Sequence, residues 1–173
     1  LELLEHHHSV DIEWGNHDIL WMGSAAGNPV CMAAVVRGCL QYDNMELLET
    51  GYGISLRSLA LFASQNYPGL TEAQAGLQAI TVILFKLEGQ IIMRHSEYNM
   101  DDRLLLDKMD LGKGTVCIEG QEYDLNDTYF PTIDFKQPYV LSEEEQKVME
   151  DLRASFRNSH VLRDHVEFLY EKG

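Results

Sequence analysis

The fold is decided by the longest periodic apolar segment of the chain, TEAQAGLQAITVILFKLEGQII, at residues 71–92. It opens on a capping-box pattern, in which the side chains of Thr71 and Gln74 satisfy each other's backbone donors at a helix start. The apolar residues that follow are spaced alternately by three and four positions, which predicts one continuous helical stripe. They are Leu77, Ile80, Leu84, Leu87 and Ile91. The stripe is too broad and too short for a coiled coil, so we expect a helix packed between other helices.

Further helices are expected on both sides of this segment. Pro29 suits the first turn of a helix that ends near residue 42. Other helical patterns cover residues 45–49, 55–66 and 100–109. Ser142 starts a second capping box, and the last helix breaks near residue 159 before its apolar pattern resumes. The three glutamates after Ser142 suit the positive end of a helix, which makes them poor candidates for a metal cage.

Strand-like patterns are few. Residues 115–118 and 122–125 flank a glycine-containing turn, which predicts a hairpin. An isolated apolar run at residues 10–14 predicts one further strand, and residues 126–138 are expected to form an ordered loop because their aromatic side chains would be costly to expose. The fold class predicted for the chain is therefore mainly helical α+β.

Composition narrows the functional classes. The 173 residues are 45% hydrophobic and 24% charged, which indicates a folded, globular chain. The formal net charge of −15 argues against nucleic acid and anionic membranes as partners, since both require a positive surface. The three cysteines are odd in number and widely spaced, so neither a disulfide framework nor a zinc site is indicated. We expect reduced thiols and a cytoplasmic location.

The strongest candidate for chemistry is the sequence Gly-Asn-His-Asp at residues 15–18, directly after the predicted strand. The amide oxygen of Asn16 suits a hard or borderline divalent metal, and His17 can bind metal or move a proton near neutral pH. Two plainer interpretations stay open. Gly-Asn is also ordinary turn chemistry, and Asp18 has the short acceptor side chain that caps helices.

The longer string HHSVDIEWGNHDILWMG, residues 7–23, resembles the class III fructose-1,6-bisphosphatases of bacteria, a branch of the calcineurin-like metallophosphoesterases. Four further strings resemble the same family and follow in the same order along the chain. They are GYGISL at 51–56, MDDRLLLDK at 100–108, DTYFPT at 127–132 and HVEFLYEKG at 165–173.

This resemblance implies a two-metal, manganese-type phosphatase that removes one phosphate from fructose 1,6-bisphosphate in gluconeogenesis. It implies that Asn16 ligates one ion, that His17 binds or protonates the substrate phosphate, and that Asp18 orients His17. Residues 1–28 would belong to the metallophosphoesterase core, a calcineurin-like α/β sandwich in the parent enzyme, and residues 29–173 to a mainly helical region. Other metal-binding motifs of the family do not occur in this sequence. The chain is therefore interpreted as an internal fragment, inactive alone, whose partner is the remainder of the parent polypeptide.

Several alternatives stay open at this point. The chain could be a non-catalytic helical subdomain used for regulation or for homo-oligomer contacts, or part of a metallophosphoesterase of other specificity. Substrate-binding residues cannot be assigned from the sequence. Arg94, His95 and Arg103 could hold a second phosphate, although ordinary surface charges are the more frequent outcome for such residues.

Overall fold

The computed structural model describes His6 and residues 10–172, and it confirms a mainly helical α+β fold with one small sheet. Its α-helices are α1 (Asn16–Ala25), α2 (Pro29–Gln41), α3 (Arg57–Asn66), α4 (Glu72–Arg94), α5 (Glu143–Asn158) and α6 (His160–Lys172). A π-helical turn spans Leu47–Gly51, and 3-10 turns span Ser96–Tyr98, Asp101–Arg103 and Leu106–Lys108. The strands are β1 (Met109–Asp110), β2 (Thr115–Ile118) and β3 (Gln121–Asp124).

Helix α4 packs against other helices, as its periodicity predicted. Its capping box is formed: Thr71 N–H donates to Gln74 Oε1 over 3.2 Å, and Gln74 N–H donates to Thr71 Oγ1 over 3.3 Å. Helices α2 and α3 pack against it, and Ile80 and Ile83 are fully buried in the main core. By length and composition alone α4 could cross a membrane, but 56% of its most apolar window is buried inside the protein, as in the core helix of a folded domain.

The predicted hairpin is confirmed. Strands β2 and β3 pair antiparallel, and their last pair, Ile118 with Gln121, is joined by Glu119 and Gly120. Both turn residues have positive φ, 50° and 80°, as a two-residue type I′ turn requires. A third strand that the sequence did not predict, β1, pairs antiparallel with β2.

The helix predicted over residues 100–109 is wrong. Two 3-10 turns and strand β1 occupy this stretch. Three consecutive leucines cannot share one helix face, and here only Leu106 is fully buried, in a second small core with Val82 and Ile133. Lys108 Nζ donates to the carbonyl oxygens of Asp101 and Asp102, at 2.9 and 3.1 Å, and so holds the irregular backbone.

A buried ion pair joins α4 to α5. Lys86 Nζ lies 2.7 Å from Glu145 Oε2, both side chains have no exposed surface, and Lys86 also donates to the carbonyl oxygen of Thr132 over 2.6 Å. Glu145 in addition accepts the N–H of Ser142, which completes the capping box predicted for α5. The pair therefore connects α4, the loop before α5 and the first turn of α5.

The strand predicted at residues 10–14 is wrong for the described part of the chain, where residues 10–15 are irregular and α1 begins at Asn16. A strand needs a partner for its backbone hydrogen bonds, and no strand among residues 10–172 pairs with this run. Its apolar side chains are used in another way, because Trp14 packs on α6. Residues 1–5 and 7–9 lie outside the described residues. The proposed division of the chain into residues 1–28 and residues 29–173 stays a prediction.

Candidate catalytic segment and adjoining cleft

The Gly-Asn-His-Asp motif forms the beginning of α1. Gly15 is the N-cap residue, with extended φ and ψ of −79° and 167°, and Asn16, His17 and Asp18 are the first three helical residues. Asp18 Oδ2 accepts the N–H of Gly15 over 2.8 Å. The interpretation of Asp18 as the N-cap is therefore wrong: Gly15 is the N-cap, and Asp18, at the third helical position, caps the helix start by accepting the N–H of Gly15. Its role toward His17 stays a prediction.

Asn16 and His17 are both exposed at this helix start, and within residues 10–172 neither side chain makes a hydrogen bond. The first turn of a helix also leaves backbone N–H groups without intrahelical acceptors, and these favour anions. The motif thus presents an amide oxygen, an imidazole and free backbone donors from one turn. The amide oxygen can ligate a metal ion, and the imidazole and backbone N–H groups can bind a phosphate oxygen.

A cleft of about 220 Å³ opens beside His17. One wall is α1, with Leu20 and Trp21, and the other is α2, with Val35 and Gly38. The turn after α2 closes one end of the cleft with Tyr42, Asn44 and Leu47. The cleft could not be predicted from the sequence, because its residues come from two helices and a turn that are brought together by packing.

Helix α6 holds α1 from the opposite end of the described sequence. Trp14 Nε1–H donates to the carbonyl oxygen of Leu169 over 2.7 Å, and its ring packs edge-on against Tyr170 at 5.8 Å between centroids. A second aromatic contact joins α1 to the residue after the π-helical turn. The rings of Trp21 and Tyr52 pack at a tilt, with their centroids 4.5 Å apart. The motif is therefore fixed on both sides by aromatic contacts.

Tyr52 links this aromatic group to α6. Its hydroxyl lies 2.9 Å from Nδ1 of His165, and the two rings stack at 5.8 Å. Burial raises the pKa of Tyr52, and Cys39 nearby adds to the rise, so the hydroxyl stays protonated at neutral pH. Ser159 Oγ–H donates to the carbonyl oxygen of Tyr52 over 2.6 Å, which fixes the Tyr52 backbone against the junction of α5 and α6.

The described residues do not form a complete metal site. Among His6 and residues 10–172, no group of three or more His, Cys, Asp or Glu side chains is close enough to hold an ion. Asn16 offers one neutral oxygen ligand of the kind that divalent manganese accepts. The donor set of this chain therefore fits one contribution to a metal centre, and a complete centre requires ligands from outside the described residues.

The other polar residues considered for phosphate binding lie elsewhere. Arg94 Nε–H donates to the carbonyl oxygen of Gln90 over 3.0 Å, and His95 Nδ1 lies 2.8 Å from Glu97 Oε1. Arg103 lies in a 3-10 turn and is exposed. None of the three lines the cleft beside His17. Their contacts are those of ordinary surface charges.

Comparison with known proteins shows which class of protein the chain is similar to. A protein of Clostridium novyi named fructose-1,6-bisphosphatase class 3 is 47% identical over 192 aligned residues. Proteins of that name from Listeria innocua and Alkaliphilus metalliredigens are 45% and 46% identical. The alignments cover all of this chain but only 29–30% of each relative. The chain is thus similar to one segment of class 3 fructose-1,6-bisphosphatases.

A family model identifies the family to which the chain belongs. Residues 1–173 match the model described as Firmicute fructose-1,6-bisphosphatase, and the chain belongs to this family. The family resemblance predicted from the sequence strings is confirmed. No solved structure was found to match the chain.

Proposed function

We propose that this chain is a segment of a metal-dependent fructose-1,6-bisphosphatase, which hydrolyses fructose 1,6-bisphosphate to fructose 6-phosphate and phosphate. The observation that carries the proposal is the exposed Asn16 and His17 at a helix start, in a chain of this family. The names of its relatives support the substrate. Gluconeogenesis, a cytoplasmic location and assembly with the remainder of the polypeptide, in a possible homo-oligomer, belong to the same proposal.

Each residue of the motif has a distinct task in this proposal. Asn16 contributes its side-chain oxygen to a divalent ion, with manganese the expected metal. When bound, such ions activate water and neutralise phosphoryl charge. His17 contacts the substrate phosphate and can donate a proton to an oxygen of the ester, while the free N–H groups of the first turn of α1 favour the phosphate charge. Asp18 keeps Gly15 at the N-cap, which fixes the direction in which Asn16 and His17 project.

The test is manganese-dependent phosphate release from fructose 1,6-bisphosphate by the full-length parent enzyme and its His17→Ala variant. We expect release by the parent and a loss of about 10²-fold or more in the variant, the usual effect of removing a general acid or base. The matched control is His95→Ala, which removes a partly buried histidine that does not line the cleft.

Other outcomes reject defined parts of the proposal. A well-folded parent that releases no phosphate from this substrate would favour another phosphoester or a non-catalytic role. Equal losses in His17→Ala and His95→Ala would reject the role of His17 in particular. Release that is unchanged after chelation of divalent ions and is not increased by manganese would reject the metal requirement.

A further inference from the structure

Gly38 lies inside helix α2 and lines the cleft beside His17. A glycine inside a helix is less stable than alanine by about 0.5–1 kcal/mol, so its presence needs a reason. Two usual reasons do not apply within the described residues. The φ of Gly38 is not in the left-handed region, and a Cβ atom built there meets no atom within 4 Å. The space in front of Gly38 is open, and that space is the cleft.

The side chains that line the cleft are mostly uncharged. Apart from His17, its lining contains no Asp, Glu, Lys, Arg or His. Leu20, Trp21 and Val35 provide apolar walls, while the side chains of Tyr42 and Asn44 are exposed and make no hydrogen bond among residues 10–172. A mostly apolar cleft with a phenol and an amide at its rim fits a carbon skeleton that carries hydroxyl groups. No lysine or arginine lines it, so it lacks the cation that a second phosphate would require.

We propose that this cleft binds the uncharged, hydroxyl-bearing carbon skeleton of a sugar phosphate, and that Gly38 keeps the space open for it. The phosphate to be removed lies at His17, and the adjacent carbons lie between α1 and α2. Tyr42 and Asn44 make the contacts to hydroxyl groups and so determine specificity. This inference rests on the proposed function, which places the phosphate at His17.

The experiment uses the full-length enzyme with Gly38→Ala, Gly38→Leu and the control Gly76→Ala. Gly76 is also a helix-interior glycine, and a Cβ atom there would lie 3.7 and 3.8 Å from the methyl carbons of Leu40, in ordinary contact. We expect Gly38→Leu to raise KM for fructose 1,6-bisphosphate by about tenfold or more with a smaller change in kcat, the signature of lost substrate binding. Gly38→Ala has a smaller effect in the same direction. Gly76→Ala leaves both constants unchanged.

Stability provides the second measurement. Gly38→Ala and Gly76→Ala both raise Tm, because both replace a helical glycine. A Tm lowered by Gly38→Leu would show that other parts of the polypeptide fill the cleft in the whole enzyme, and would overturn the inference. An unchanged KM in an active Gly38→Leu enzyme would overturn it as well.

The inference and the proposed function fail in different ways. A parent enzyme that releases no phosphate contradicts the proposed function. In that case the binding of fructose 6-phosphate, measured by calorimetry, tests whether the cleft binds a sugar phosphate. Binding that is weakened about tenfold or more by Gly38→Leu but not by Gly76→Ala supports the cleft. Absence of binding to the parent enzyme, or binding that is equal in the parent and Gly38→Leu, overturns it.

Discussion

The indole nitrogen of Trp14 donates a 2.7 Å hydrogen bond to the carbonyl oxygen of Leu169, 155 positions away in the sequence. Trp14 directly precedes the Gly-Asn-His-Asp motif, so this bond ties the approach to the motif to helix α6. The same ring packs edge-on against Tyr170. The position of Asn16 and His17 thus depends on a helix that is remote in sequence.

Replacing Trp14 by phenylalanine keeps an aromatic ring and removes the indole donor. We expect a loss of about 0.5–1.5 kcal/mol in the free energy of unfolding, the usual value of one hydrogen bond. Because the motif would be held less firmly, kcat of the full-length enzyme should fall together with stability. Tyr123→Phe is the control, since among the described residues its hydroxyl donates only to Gln121, two positions away on the exposed hairpin. Equal effects of the two substitutions would contradict a positioning role.

Replacing Lys86 by methionine should be strongly destabilising. It leaves the carboxylate of Glu145 buried without its cation, and breaking a buried pair in this way costs about 3–5 kcal/mol. The double variant Lys86→Met with Glu145→Gln should recover part of that loss, because no buried charge is left unpaired. Urea denaturation of the two single variants and the double variant measures the coupling. Strictly additive losses would show that the pair does not act as a unit.

Replacing Gly89 by alanine should destabilise the protein although alanine is the better helix former. A Cβ atom at Gly89 would overlap the ring of Tyr139, whose carbonyl oxygen is held by Gln90 Nε2 over 2.7 Å. Overpacking of this kind costs about 1–3 kcal/mol. Thermal unfolding beside Gly76→Ala, where space is available, measures the difference. A higher Tm in both variants would mean that the Tyr139 ring moves freely.

The environment of the Tyr139 phenol should make the free energy of unfolding fall at alkaline pH. Burial, and then the 2.6 Å hydrogen bond to the Asp107 carboxylate and its charge, raise the pKa of the Tyr139 phenol well above its ordinary value. A raised pKa in the folded state stabilises the protein fully below the ordinary tyrosine pKa, about 10. This contribution is lost as the pH rises from there toward the folded-state pKa.

The Tyr139→Phe variant tests that relationship. It should be less stable at neutral pH by about 1 kcal/mol, the value of the lost hydrogen bond, and its stability should fall less steeply above pH 10. The variant keeps some pH dependence because burial also raises the pKa of Tyr52 and Tyr67. Unfolding free energies between pH 8 and 11 measure both effects. Parallel curves for the two proteins would contradict the assignment.

The sequence predicted those parts of the fold that local chemistry determines. The capping boxes at Thr71 and Ser142, the helix start at Pro29 and the hairpin with a glycine-containing turn all depend on residues a few positions apart. Such patterns can be seen without knowing what packs against them. Each is confirmed in the structure.

Features that depend on distant partners were missed or mistaken. The apolar residues 10–14 predicted a strand, but Trp14 finds its partner on α6. The buried position of Lys86 was not predicted, because it depends on the carboxylate of Glu145, 59 positions away on α5. The motif at residues 15–18 could be found from its letters, whereas the cleft beside it depends on how α1 and α2 pack.

The contact between Trp14 and Leu169 also describes the path of the chain. Residues 15–168 leave one place and return to it, so this hydrogen bond closes a long loop of chain. A helix inside this loop can therefore change in length without separating Trp14 from Leu169, as long as the hydrogen bond between them is kept.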